Sequence, residues 1–309
     1  MASSTLSAPH FHNEDAAFAY VEAHLWPHGP VCFHCKGTER IGKMNGKTTR
    51  AGLYKCYACK KPFTVRMGSI FEFSHVPLRI WLQVIYLMCS SKKGISTRQI
   101  HRIIGGSLKT AWFLGHRIRE AMKPGSTGPM GGPGIIVEAD ETEIVASRKT
   151  RVANRTVRGN NTRFVALIER NGEVRSKVID ERGMHQVRQA VRQNLEAGTI
   201  LHTDGAQAYK TLMPVGQHAS VDHKKEFARD SNSGRVHTNT AEGYFSIFKR
   251  GLVGVYQQMG EQHLPRYLAE FDFRMTHRAK LGFDDIARSS LALKGAKGKR
   301  LTYETTRLN

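Results

Sequence analysis

The segment Ile135-Ile-Val-Glu-Ala-Asp140 decides how the second half of the chain is read. Its apolar run is short and follows a stretch rich in glycine and proline, so it reads as a buried strand whose end presents an acid. A second run of the same kind, Gly198-Thr-Ile-Leu-His-Thr-Asp204-Gly205, again ends in aspartate. Between them, residues 162–169 and 173–180 are β-like and flank Asn171-Gly172, a strong hairpin signal, and residues 184–195 have helical spacing. Further on, Asn239-Thr-Ala-Glu242 leads into Tyr244, Phe245, Ile247, Phe248 and Lys249, an amphipathic helix. The order strand, hairpin, helix, strand, helix predicts an α/β domain: a mixed sheet with helices packed on its faces.

Asp140 and Asp204 fall at strand ends, and Glu242 projects from a helix that could cross behind them. Three acids on separate elements suit hard divalent cations, which prefer oxygen ligands. Two such ions roughly 3.5–4 Å apart stabilise the attacking and leaving oxygens of in-line phosphoryl transfer. Lys249 comes seven residues after Glu242, about two helical turns, so both face one side and an ammonium group would lie beside substrate phosphates. Taken singly, each acid also fits a turn or a solvated helix face; their joint occurrence is what favours a site.

Upstream, Cys32-Phe-His-Cys35 and Cys56-Tyr-Ala-Cys59 are separated by twenty residues, the spacing of a four-thiolate zinc site. The intervening residues read as a small hairpin, so the module resembles a zinc ribbon. Its closed shell predicts a structural Zn²⁺ that does no chemistry, with His34 outside the ligand set. Residues 14–25 predict a helix docked on this module, and Cys89 a buried, inert thiol.

From Leu78 the pattern turns helical: Leu78, Trp81, Leu82, Ile85 and Met88 form one face. Ser96 and Ser107 cap two further helices around Gly105-Gly106, with Ile100, Ile103 or Ile104, Leu108, Trp112 and Ile118 as a small core. Helix, glycine turn, helix is the helix-turn-helix plan, and it puts Lys109, His116, Arg117 and Arg119 on the recognition helix. An ordinary three-helix bundle with a solvated basic face has the same pattern.

The 309 residues carry 47 Lys+Arg against 26 Asp+Glu, a net charge of +21, which calls for a polyanionic partner: nucleic acid before anionic membrane or acidic protein. The basic run from Ile144 to Arg163 (Arg148, Lys149, Arg151, Arg155, Arg158, Arg163) contains no acid and is expected to follow DNA phosphates, as are Lys294, Lys297, Lys299 and Arg300. The apolar stretch Ile80–Cys89 is far short of the roughly 20 residues of a membrane span. No secretory signal is visible at the start, and an odd number of cysteines fits a reducing compartment. The expected organisation is a helix and ribbon over 1–75, a helix-turn-helix over 76–123, a linker over 124–134, a catalytic domain over 135–285 and a basic tail over 286–309.

These features together resemble the zinc-ribbon insertion-sequence transposases of the DDE superfamily. The resemblance rests on Trp26-Pro27, the four cysteines, Ser96–Met122, Val137-Glu-Ala-Asp140-Glu-Thr, His202-Thr-Asp204-Gly205, His237-Thr-Asn239-Thr-Ala-Glu242-Gly, Phe248-Lys-Arg-Gly251 and Tyr267-Leu-Ala-Glu-Phe-Asp-Phe-Arg274. It implies an RNase H-like catalytic fold, Mg²⁺ dependence and recognition of terminal inverted repeats. Asp140 and Asp204 match the first two acids, Glu242 the third and Lys249 the downstream base. Relatives also use asparagine where Asn239 stands; Glu242 is favoured because a third carboxylate binds Mg²⁺ more strongly than an amide.

The resulting expectation is a cytoplasmic, nucleoid-associated bacterial enzyme that assembles as a homo-oligomer on its terminal repeats and on target double-stranded DNA. It would cleave and join strands with two Mg²⁺ ions. The rivals are a DNA-binding regulator without the chemistry and an RNase H-like nuclease that cannot join strands.

Overall fold

The computed structural model describes residues 4–125, 128–144, 149–152, 155–158, 162–179, 184–205, 209, 217–222, 226, 228–231 and 234–302, with backbone only for 149–152, 155–158 and 231. In chain order these form helix α1 (Glu14–Leu25), strands β1 (Ile41–Lys43), β2 (Tyr54–Cys56) and β3 (Pro62–Phe63), and helices α2 (Leu78–Ser90), α3 (Thr97–Ile104) and α4 (Leu108–Met122). Strands β4 (Ile136–Ile144), β5 (Lys149–Val152), β6 (Arg155–Arg158), β7 (Thr162–Glu169) and β8 (Val174–Ile179) come next, then helix α5 (Met184–Asn194). Strands β9 (Ile200–Thr203), β10 (His218–Ser220), β11 (Arg229–Ser231) and β12 (Gly234–Val236) precede helices α6 (Asn239–Gly251), α7 (Leu264–Thr276) and α8 (Asp285–Lys294). The chain divides into two compact units, Met1–Pro124 with Phe283–Asn309, and Gly125–Gly282.

In the first unit, Asn13 caps α1 by accepting from the Ala16 amide, and β1, β2 and β3 form an antiparallel sheet. The expected face of α2 is buried, Leu78 and Met88 completely. Ser96 and Ser107 accept from the amides of Gln99 and Thr110, and Gly105 and Gly106 make the turn between α3 and α4 at φ of +73° and +75°. The small core is only partly as expected. Ile100 and Ile118 are buried, but Ile103 and Leu108 are 50% and 47% exposed.

Helix α8 packs against α1, α2 and α4; most of α4 from Ala111 onward is buried, while Leu108 and Lys109 in its first turn are exposed. The segment expected as a basic tail is thus integral to the first unit. Asp284 caps α8 by accepting from the Ala287 amide, and Leu293 and Ala296 are fully buried. Lys297 donates to the carbonyl of Leu25, and Lys299 to those of Ala121 and Lys123. These carbonyls close α1 and α4, where the helix dipole favours a cation, so both lysines also serve as helix-end partners within the fold.

The second unit is built on a five-stranded sheet of order β10-β9-β4-β7-β8. Strands β4, β7 and β8 run antiparallel in turn, while β9 pairs parallel with both β4 and β10. Alternation along the strands separates two cores. Val137, Ala139, Val165, Leu167 and Leu201 meet Val187, Ala190 and Val191 of α5 on one face. Phe164, Ala166 and Ile168 meet Ala241, Tyr244, Phe245 and Phe248 of α6 and Leu264, Leu268 and Phe271 of α7 on the other. This is the mixed sheet, with helices on both faces, of the RNase H-like expectation. Helix α7 is fastened by Asp272, which accepts from the Ser176 amide and hydroxyl at 2.9 and 2.7 Å and from the Tyr244 hydroxyl at 2.5 Å. The Glu-Phe-Asp-Phe-Arg motif therefore serves packing.

The expected linker also differs in its second half. Met130 is buried beside Leu195, its amide donates to Asn194 O at 2.7 Å, and the Gly132 amide donates to Thr199 Oγ1. Glycine is required at 131: φ is +87°, and a Cβ there would lie 2.4 Å from Thr199 Oγ1. Gly131→Ala is expected to cost roughly 1–3 kcal/mol in urea unfolding. Gly128→Ala, which meets nothing within 4 Å, should stay near wild type.

Candidate functional site

The four cysteines converge. Cys32 Sγ lies 3.6 Å from Cys59 Sγ, and Cys35 Sγ 3.7 Å from Cys56 Sγ. A tetrahedron of sulfurs about 2.3 Å from a zinc ion has edges of about 3.8 Å, so the donor set fits zinc. Lys36 and Lys60, each just after a knuckle, share a φ of +61°, so the two knuckles turn alike. The Cys59 amide, donating to the Cys56 sulfur, pushes that thiol down to about 7, which favours the ligating thiolate. Trp26, Phe33 and Phe63 pack the module, and His34 lies outside the cluster with Nε2 3.2 Å from Pro62 O.

The acids gather in the second unit, on the face of the sheet that α6 covers. Parallel pairing with β9 covers only Ile136–Glu138 of β4, with Glu138 opposite His202, whereas antiparallel pairing with β7 continues to Ile144. Asp140 is therefore in mid-strand, a correction to its expected place at a strand end, and it sits just beyond the point where β9 stops. Asp204 follows the last residue of β9. Such a crevice outside the carboxyl end of a parallel strand is the usual ligand position in open α/β sheets. Helix α6 packs on β4 and carries Asn239, Glu242 and Lys249 along one exposed stripe.

Electrostatics joins these groups. Burial raises the Asp140 carboxyl to about 7; the Glu141 amide, donating at 2.7 Å, opposes this, and the charges of Asp204, Glu141 and Glu242 add to it. Glu141, absent from the expected set, is raised by burial and by Asp204, against the pull of Arg163 at 3.8 Å. The buried phenol of Tyr209 is raised well above its ordinary value, by burial first and then by Glu141, Asp140 and Asp204. Among the described residues, only the four cysteines bring three or more ligand atoms within 4.8 Å of one another. The carboxylates of Asp140, Asp204 and Glu242 do not meet that spacing.

A second network, also unread in the sequence, lies beneath the acids. Glu138 is completely buried, and its oxygens accept from Arg170 Nε at 2.8 Å, Thr240 N at 2.8 Å, Thr240 Oγ1 at 2.9 Å and Ala241 N at 3.1 Å. His237 Nδ1 lies 3.2 Å from Oε1. Arg170 NH2 donates to His202 Nδ1 at 3.0 Å, and burial, then Arg170, pushes His202 down to about 4, so this ring is neutral.

The expected DNA-facing residues separate. Lys109 is exposed in the first turn of α4, the part of a recognition helix that meets base edges. Beside it stand the exposed Ile103 and Leu108 and the basic Arg98 and Arg102. His116, Arg117 and Arg119 are corrected to buried residues of the first unit. Arg117 donates to the carbonyls of Ile70 and Glu72 at 2.8 Å and stacks on the Phe113 ring, while His116 packs on Trp112. Arg148 lies outside the described residues; Lys149 and Arg151 lie on β5 of a two-stranded hairpin with β6, described there by backbone alone.

A mixed α/β sheet and a four-cysteine ribbon on one chain are the domains of a known class of transposase. Residues 131–276 match the ISXO2-like transposase domain and residues 12–62 the transposase zinc-ribbon domain, and the chain belongs to the zinc-ribbon insertion-sequence transposases. It is 26% identical over 273 residues to an uncharacterized protein in transposable element ISH50 of Halobacterium salinarum, covering 81% of this chain and 86% of that protein. It is also similar, at 15% identity and a TM-score of 0.25, to a chain in the crystal structure of the Mos1 strand transfer complex, over 65% of this chain and 74% of that one, a likeness too slight to carry an argument. Among the described residues no helix is long and apolar enough to cross a membrane.

Two outcomes are expected. The purified protein should hold one zinc per chain by atomic emission, and Cys56→Ser should lose it and melt the ribbon, seen as loss of amide protection over 32–63. The second concerns Asp140. Its folded pKa of about 7 exceeds the ordinary 3.8, so between these values the folded state keeps a proton that the unfolded chain has released. Stability without divalent cations therefore falls as pH rises from about 4 to about 7 and stays low above. Asp140→Asn should raise stability at pH 8 by roughly 2–4 kcal/mol and little at pH 4, measured by denaturant melts without added divalent metal.

Proposed function

We propose that the protein binds the terminal inverted repeats of its insertion sequence and catalyses Mg²⁺-dependent DNA cleavage and strand transfer. The observation that carries this reading is the placement of Asp140 and Asp204 where β9 ends, with the charges of Asp204 and Glu242 near enough to add to the burial that raises the Asp140 carboxyl. Asp140, Asp204 and Glu242 would hold the metal ions: their all-oxygen donor set, and the burial of the Asp140 carboxyl beside further acids, fit hard divalent cations. Bound there, such ions supply activation of the attacking oxygen and stabilisation of the leaving oxygen at phosphorus.

The chain's own residues do the rest. Lys249, exposed on the stripe of Glu242, binds a phosphate beside the acids. Asn239, one turn before Glu242, orients the same substrate or serves as an auxiliary ligand. Lys109 and the exposed tip of α3 and α4 enter a groove of the terminal repeat, with Ile103 and Leu108 making apolar contact with base edges. The basic stretch about β5 and β6 follows phosphates and adds salt-dependent affinity. Joining two transposon ends requires at least two copies on DNA, acting in the bacterial cytoplasm where the nucleoid lies.

The test uses purified protein, Mg²⁺ and labelled duplexes that end in the inverted repeats flanking the gene. Wild type should cleave at the repeat end and join it to target DNA. Asp140→Ala, Asp204→Ala and Glu242→Ala should bind the repeat within about threefold of wild type, with cleavage reduced by at least about 10³-fold. Cleavage without joining would assign a nuclease instead, and full activity in Asp204→Ala would remove the site.

A further inference from the structure

We infer that Glu138 and Arg170 are positioning residues that set the spacing of the three carboxylates; this rests on the metal-dependent reading of the site above. One buried carboxylate touches two of the three acid-bearing elements, and its arginine partner reaches the third. Glu138 is on β4, two residues before Asp140 and on the same face of the strand. It caps α6 from a distance, accepting from the amides of Thr240 and Ala241 and from the Thr240 hydroxyl. The side chain of Thr238 at the N-cap position makes no such bond, so the anchor of this helix end is Glu138. Glu242 follows Thr240 by two residues and moves with the first turn of α6.

Arg170 extends the connection to β9. Its Nε binds Glu138, its NH2 binds His202 Nδ1, and NH1 and NH2 bind the carbonyls of Arg235 and His237 in the segment entering α6. His202 precedes Asp204 by two residues and pairs in register with Glu138. The guanidinium fork thus ties the strand bearing Asp204 to the strand bearing Asp140 and to the approach of Glu242. Such a group beneath a metal site orients the ligands without touching the metal, and its loss typically costs roughly 10–100-fold in metal affinity or activity. The buried charges balance as one carboxylate and one guanidinium, so neither partner is neutral to remove.

Three variants test this in the full-length protein: Glu138→Gln, Arg170→Lys and Thr240→Val. Glutamine keeps an acceptor for the α6 amides but loses the charge that faces Arg170. Lysine keeps the charge but cannot span Glu138, His202 and the two carbonyls at once. Valine deletes one hydroxyl bond and serves if the other two fail to fold. Two quantities are measured beside repeat binding: the Mn²⁺ concentration that half-saturates the Mn²⁺-induced rise in Tm, and the Mn²⁺ concentration that half-saturates cleavage. We expect both to rise at least about tenfold in Glu138→Gln and Arg170→Lys and about threefold in Thr240→Val, with repeat binding unchanged.

Variants that lower metal-free Tm but leave both half-saturation points at the wild-type value would overturn the inference, since a purely structural role reduces the amount of folded protein and not its metal affinity. Variants indistinguishable from wild type in every readout would overturn it as well, with the proposed function intact. A wild type that neither cleaves DNA nor gains Tm with Mn²⁺ would remove the proposed function and this inference with it.

Discussion

Parallel pairing between β9 and β4 ends at Glu138, while antiparallel pairing between β7 and β4 continues to Ile144. The central strand therefore has one hydrogen-bonding edge released from β9 just where Asp140 occurs. That mismatch in length opens the crevice, brings Asp204 to its rim and leaves room for the first turn of α6. Asp140 and Asp204 take their positions from this change of pairing. Burial first, and then the neighbouring acids, raise the Asp140 carboxyl there, and directly beneath it Glu138 is bound by Arg170 and by the Thr240 and Ala241 amides.

The second unit has a division of labour between its faces. On the α5 face Val137, Ala139 and Leu201 pack against the helix in an apolar cluster that also takes in the Tyr209 ring. The α6 face combines an aromatic core around Phe164, Phe245 and Phe248 with the buried polar line of Glu138 and His202. The first unit follows a different logic. It spends several cations internally, on helix ends and loop carbonyls, so a net charge of +21 overstates the charge offered to DNA. Arg98 and Arg102 on α3 and Lys109 in the first turn of α4 are among the cations that stay exposed.

Much of this was legible in the sequence. The two cysteine knuckles encode their own site, because a tetrahedral thiolate centre needs little beyond two tight turns and a hairpin. The strand that carries Asp140, the strand that leads to Asp204 and the helix from Asn239 were readable from periodicity, although the first continues past Asp140 to Ile144. Glu138 was in plain view in Val-Glu-Ala-Asp, and the only signal was an acid two residues from another in an apolar strand. Its partners, Arg170 at a hairpin turn and Thr240 at a helix start, are far away in sequence, and no local pattern links them. His116, Arg117 and Arg119 were misread for the complementary reason: charge in a helix reads as surface unless the covering segments are known, and the carbonyls that Arg117 meets belong to Ile70, Glu72 and Leu301, distant in sequence.

The sequence by itself determined the strands and helices that carry the acids, the zinc ligands and the residue types that the chemistry needs, since these depend on spacing within a strand, a helix or a knuckle. Tertiary structure alone decided which acids meet, which face of the sheet they share, and which cations are spent inside the fold. Those outcomes depend on register between strands and on packing between segments distant in the chain, where burial changes the energy of a charge more than any neighbour in sequence does.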